Sequence, residues 1–102
     1  MELRAPRTVA FAVRGPIARE DLPGLCARVC ALFARTRPEI ACLDASGVEP
    51  DAVTVDALAR LQVAARRAGC RVYLRDASPE LRALVAFMGL ADVLPGEEGR
   101  RP

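Results

Sequence analysis

The sequence predicts a small α/β domain, and two observations lead there. Short apolar runs alternate with longer stretches in which apolar residues recur every three or four positions, in the order strand, helix, strand, helix, strand, helix. The boundaries carry the punctuation such an alternation needs: Pro38, Gly69, Ser78-Pro79 and Gly89 fall between the periodic segments. Strands in this order are expected to run parallel, joined by right-handed helical crossovers.

Residues 8–13 (T-V-A-F-A-V) are β-branched and aromatic at alternating positions and predict the first strand. Arg14-Gly15-Pro16 interrupts it, with Ile17 extending the pairing before the turn. Asp21 is a suitable helix N-cap, and Pro23 is tolerated in the first turn, where its missing N–H has no helical partner. Leu22, Leu25, Cys26, Val29 and Phe33 form one apolar stripe, with Arg28 and Arg35 outside it, and Thr36-Arg37-Pro38 stops the helix. Residues 40–43 are apolar without alternation, as in a strand buried on both faces.

After a turn rich in Ser, Gly, Pro and Asp, a second helix carries Leu58, Leu61, Ala65 and Ala68 on its inner face, and Gly69 is its expected left-handed cap. Residues 71–75 (R-V-Y-L-R) predict a third strand. Ser78 caps a third helix with Pro79 in its first position and Leu81, Leu84, Val85 and Met88 inside. Val93-Leu94 is read as a last short strand. The expected layout is a flexible start over 1–7, frayed or forming a weak edge strand, then one domain over 8–94 and a disordered tail over 95–102.

Composition removes many functions. The chain of 102 residues has room for one core, and its net charge of +2 is spread without a basic stripe, so nucleic acid is not an expected partner. It contains no His and no Lys, which excludes a Ser-His-Asp triad, a Cys-His pair, a Schiff-base lysine and a P-loop lysine. Cys26, Cys30, Cys42 and Cys70 form no C-x-x-C pair and read as small buried hydrophobes in a reducing cytoplasm, with Cys26 and Cys30 facing the core together. No apolar run nears the ~18 residues of a membrane span. No enzyme activity, cofactor or metal is expected.

The chemistry-bearing stretch is 40–61, where an apolar strand ends in Asp44, a turn contains Ser46, and Asp51, Thr54 and Asp56 enter a helix. Asp44 either closes the turn or offers its carboxylate to a partner. Ser46 is ordinary turn chemistry or a modified hydroxyl. Thr54 reads as an N-cap or as a phosphorylated or partner-contacting residue, and Asp51 competes with it for the cap. The spacing of Asp44, Asp51 and Asp56 matches no oxygen-rich metal loop.

Three segments, C-L-D-A-S-G-V at 42–48, D-A-L-A-R-L-Q-V-A-A-R-R-A-G at 56–69 and S-P-E-L-R-A-L-V-A-F-M-G-L-A-D-V-L at 78–94, resemble in order and spacing the STAS domain, the sulfate-transporter and anti-sigma-antagonist family. The resemblance implies a small mixed or parallel β-sheet with helices packed mainly on one side. It also implies a bacterial, cytoplasmic, non-enzymatic switch in transcription regulation. In such antagonists a serine at the start of the second helix is phosphorylated by a kinase that is itself the anti-sigma factor, and phosphate blocks their binding. The family motif is approximately Asp-Ser-Ser-Gly. With Asp51 on its aspartate, Ala52 and Val53 replace the serines, and Thr54 is the nearest hydroxyl.

The expected function is therefore a regulatory module that binds an anti-sigma factor or kinase-like protein through 44–58. Its contact set is Asp44, Ser46, Asp51, Ala52, Val53, Thr54, Val55, Asp56 and Leu58, and Thr54 and then Ser46 are its phosphorylation candidates. The alternatives are a STAS subunit of a larger assembly, such as a lipid-transport ABC complex or a stressosome-like scaffold, and a small-molecule sensor. Weak homodimerisation is a secondary expectation.

Overall fold

The computed structural model describes residues 7–14 and 17–96. Its central strand is β2 (Ile40–Asp44), flanked by β1 (Thr8–Ala12) and β3 (Arg71–Arg75) in the order β1-β2-β3, with both pairings parallel. A 3-10 turn (Arg19–Asp21) and helix α1 (Leu22–Thr36) connect β1 to β2, α2 (Ala52–Arg67) connects β2 to β3, and α3 (Pro79–Phe87) follows. Two right-handed crossovers stepping the same way across a sheet put both helices on one face, and α1 and α3 each pack against α2. The expected α/β class holds, and the sheet is parallel throughout the described residues.

Alternation along the strands sets the core. Val9, Phe11, Ala41, Leu43, Val72 and Leu74 face the helices and join Val55, Leu58, Leu61, Ala65, Leu81 and Val85 in one apolar cluster. Phe11 and Phe33 meet edge-to-face, ring centroids 6.2 Å apart. Two helices end where glycine was expected to end them. Gly69 and Gly89 take positive φ, and Cys70 N–H and Leu90 N–H reach back to the carbonyls of Ala65 and Val85.

Several expectations shift. Asp21 precedes α1 in helical geometry, and its carboxylate accepts from Ala18 N–H at 3.2 Å, so it closes the 3-10 turn and leaves the amides of α1 alone. Cys30 is exposed and Cys26 half-buried, because position 30 falls on the flank of the stripe through Val29 and Phe33. Ala68 and Met88, both placed inside, are exposed where their helices end. Ile17 is buried but outside β1. Residues 93–94 form a turn, and pairing with β3 comes later: Leu74 N–H donates to Pro95 C=O at 2.9 Å, and Leu74 bridges Gly96. Residues 95 and 96, expected in the tail, thus lie against β3, and the expectations for 1–6 and 97–102 lie outside the described residues.

One contact was not anticipated. Gln62, fully buried in the inner face of α2, places its carboxamide against the outer edge of β3. Its Oε1 accepts from Val72 N–H at 2.9 Å, and its Nε2 donates to Val72 C=O at 2.9 Å and Val93 C=O at 2.8 Å. The side chain substitutes for one peptide unit of a fourth strand, and the segment 93–96 supplies the rest.

Candidate functional site: the strand-to-helix edge

Open parallel sheets present their loops at the carboxyl ends of the strands, and here that edge gathers the end of β2, its turn and the start of α2. Ala45 N–H donates to Arg75 C=O at 2.8 Å, and this tethers the turn to β3. Asp44 Oδ1 accepts from Ser46 N–H at 3.0 Å, an Asx turn that fixes the carboxylate as the chain leaves the sheet. Asp44 titrates below its ordinary 3.8, first because of the Ser46 backbone N–H and then the Ser46 hydroxyl; desolvation opposes them, and Arg14 and then Arg75 add positive potential. A Cβ at Gly47 would lie 3.4 Å from Arg14 Cγ, so the turn passes close to that side chain.

The helix start is decided by Asp51. It stands in extended geometry, its Oδ1 accepts from Thr54 N–H at 2.8 Å, and its carbonyl accepts from Val55 N–H at 3.0 Å. Asp51 is the N-cap and Thr54 is the third helical residue, which corrects the capping role weighed for Thr54. The amides of Ala52 and Val53 precede the first helical bond, so neither has a carbonyl within α2 to pair with.

The expected contact residues divide by burial. Ser46, Asp51 and Ala52 are exposed, while Asp44, Val53 and Asp56 are intermediate. Asp56 is engaged with Arg60 at 2.9 Å along the helix. Thr54, Val55 and Leu58 are at most 1% exposed and belong to the core. They are not offered to a partner in this conformation, because the first turn of α2 rolls these three positions onto the sheet. The Thr54 hydroxyl is enclosed and has no hydrogen-bond partner among the described residues, so a kinase cannot reach it here without opening that turn.

No group of three or more His, Cys, Asp or Glu among the described residues is placed to hold a metal ion. A groove of about 510 Å³ lies between β1 and α1, away from the start of α2. The residues around Asp44 that sequence reasoning missed are Arg14 and Arg75, one on each neighbouring strand end. Their signal was visible only as a basic residue closing each flanking apolar run.

A family model described as "Mlab, STAS domain" matches residues 2–95. The chain belongs to the STAS domain family. Three solved structures share the fold at low identity. The anti-sigma factor antagonist SpoIIAA in its unphosphorylated form matches with a TM-score of 0.67 and 17% identity over 96% of this chain and 88% of that one. The NMR structure of the protein TM1081 matches at 0.74 and 12%, over 91% and 83%. A sulfate transporter family protein from Wolinella succinogenes matches at 0.64 and 21%, over 86% and 71%. No curated protein matches the chain. Among the described residues of this STAS domain, no helix is long and apolar enough to cross a membrane.

Proposed function

We propose that this STAS domain is a non-catalytic docking module for an anti-sigma factor or a related kinase-like protein in a bacterial cytoplasm, acting in transcription regulation. The observation that carries the reading is the first turn of α2. There an exposed Ala52 and a half-buried Val53 directly follow Asp51, at the sheet edge where β2 ends in Asp44, and the directions of both carboxylates are fixed by backbone N–H donors. That gives a small apolar contact bordered by fixed negative charge, the pattern of a specific rather than a sticky surface. The likeness to SpoIIAA supplies the partner class. The contact set narrows to Asp44, Ser46, Asp51, Ala52, Val53 and Asp56.

With Ala and Val at the acceptor positions and the Thr54 hydroxyl enclosed, the module is constitutive with respect to phosphate at the start of α2. Ser46 is the one exposed hydroxyl of the contact set. The test is calorimetric titration of the full chain with candidate anti-sigma kinases, with and without ATP, followed by mass spectrometry. Binding that is lost on Ala52→Arg, with no phosphate on Thr54, supports the reading. Binding unaffected by Ala52→Arg moves the interface elsewhere, and stoichiometric phosphate on Thr54 restores a switch. A second reading, a fixed subunit of a larger assembly such as a lipid-transport ABC complex, draws on the naming of the matched family for Mlab. Co-purification with transport components in place of a sigma regulator would decide for it.

A further inference from the structure

Six side chains of this protein carry a hydroxyl, Thr8, Thr36, Ser46, Thr54, Tyr73 and Ser78, and all six lie among the described residues. Position and partners separate them. Thr8 opens β1, and Thr36 ends α1 with its Oγ1 donating to Leu32 C=O at 2.8 Å. Both stand at the amino end of the strands, opposite the docking surface. Thr54 is enclosed, and Ser78 is half-buried, its Oγ accepting from Leu81 N–H at 3.1 Å as the cap of α3. Tyr73 is half-buried in mid-strand, its ring under the Arg71 guanidinium at 5.8 Å. Ser46 alone is both exposed and at the edge that carries the docking surface.

Two guanidinium groups border its turn. A Cβ at Gly47 would lie 3.4 Å from Arg14 Cγ and 3.8 Å from Arg14 Cα, so Arg14 runs alongside residues 46 and 47. On the other side, Arg75 C=O accepts from Ala45 N–H, and Arg75 is the register partner of Asp44. Register partners in a sheet project their side chains from the same face, so Arg75 accompanies the Asp44 carboxylate. That carboxylate accepts from both the N–H and the hydroxyl of Ser46, and the positive potential of both arginines reaches it.

We propose that Ser46 is a regulatory phosphorylation site, with Arg14 and Arg75 placed to receive the phosphate, and that its phosphorylation releases the docked partner. The proposal rests on the docking reading above, which supplies the kinase. In the transfer, Ser46 Oγ bonds to the γ-phosphorus of kinase-bound ATP as the bond to the ADP oxygen breaks, and the hydroxyl proton passes to a base of the kinase. The Asx turn holds Ser46 in one orientation for this, through the N–H bond to Asp44 at 3.0 Å. Afterwards the hydroxyl no longer donates to Asp44, and a charge of about −1.5 to −2 stands beside that carboxylate. Repulsion drives Asp44 out of its fixed direction, while charge-assisted bonds draw the phosphate toward the guanidiniums. Both changes fall inside the contact set, where docking depends on where Asp44 points. Phosphate at Ser46 thus acts on the same surface that Ala52 and Val53 leave without an acceptor.

The full chain is titrated with candidate anti-sigma kinases without ATP, then incubated with Mg-ATP and mapped by mass spectrometry. Phosphate is expected on Ser46, on none of the other five hydroxyls, and nowhere on Ser46→Ala. Binding with no phosphate on Ser46, or with phosphate on Thr36 or Ser78 instead, overturns the site and leaves the docking reading standing. No binding by any of the kinases removes both. Phosphoserine installed at residue 46 during synthesis tests the consequence, and affinity for the same kinases should fall at least tenfold. By phosphorus NMR, the second ionisation of that phosphate should have a midpoint below its usual value of about 6, and Arg14→Gln should raise it. An unchanged affinity, or a midpoint at or above 6, overturns the proposal. The kinase labelling uses the chain already folded, so it decides the matter if the installed phosphoserine hinders folding.

Discussion

Replacing Thr54 by Val should stabilise this domain. The two side chains are nearly isosteric and differ little in helix propensity, so the change exchanges a hydroxyl for a methyl in a fully enclosed position. The hydroxyl has no partner among the described residues, and a buried polar group without a partner costs about 1–3 kcal/mol. The cap survives because Asp51 accepts from the backbone N–H of Thr54 and not from its side chain. Removing the penalty should yield about 1–2 kcal/mol. Unfolding entropy near 2.1 cal/mol/K per residue gives a chain of 102 residues about 0.2 kcal/mol/K. The expected rise in Tm is then about 5–10 °C, measured by calorimetry beside urea unfolding at unchanged m-value. A Val variant less stable than the parent by about 1 kcal/mol would refute the reasoning, since the hydroxyl would have to be hydrogen-bonded, for instance to a buried water.

Three further outcomes follow from the same geometry. Gln62→Leu strands Val72 N–H, Val72 C=O and Val93 C=O, and should cost about 3 kcal/mol or more in urea unfolding, with a loss under 1 kcal/mol counting against the edge clamp. Alkylation near pH 8, followed by mass spectrometry, should label the exposed Cys30 first and Cys26 more slowly. Cys42 and Cys70 should react only in denaturant, since both are buried and burial pushes the Cys70 thiol up to about 11; fast labelling of Cys70 would contradict this. Because the Asp44 pKa is depressed in the folded state, its contribution is complete above 3.8 and is lost as pH falls through the lower folded value. The amide resonance of Ser46 should therefore titrate with a midpoint under 3.8, and a midpoint at or above it would deny the Asx turn.

Elements fixed by local periodicity were readable from the chain: three strands, three helices and the two glycine caps all stand where the pattern put them. Features settled by distant partners were not. Gln62 interrupts an apolar stripe, and in sequence it looks like a tolerated polar residue; its partners lie ten and thirty-one positions away. The start of α2 was ambiguous because Asp51 and Thr54 are both capping types within one turn. The choice fell to the backbone, which is still extended at residue 51. Cys30 was misplaced by a single helical step, since a stripe defined by positions 22, 25, 26, 29 and 33 is too broad to assign its flank.

The Gln62 clamp also bears on how the chain is made. Until Val93 and Pro95 have left the ribosome, Leu74 N–H has no carbonyl and the carboxamide holds only part of the edge it will later share. The first three strands and two helices can assemble before that point, yet they do so with a raw ladder along β3 that another nascent chain could extend. Early termination of synthesis just short of residue 93 should therefore yield a soluble-looking sequence that aggregates, whereas termination after residue 96 should not.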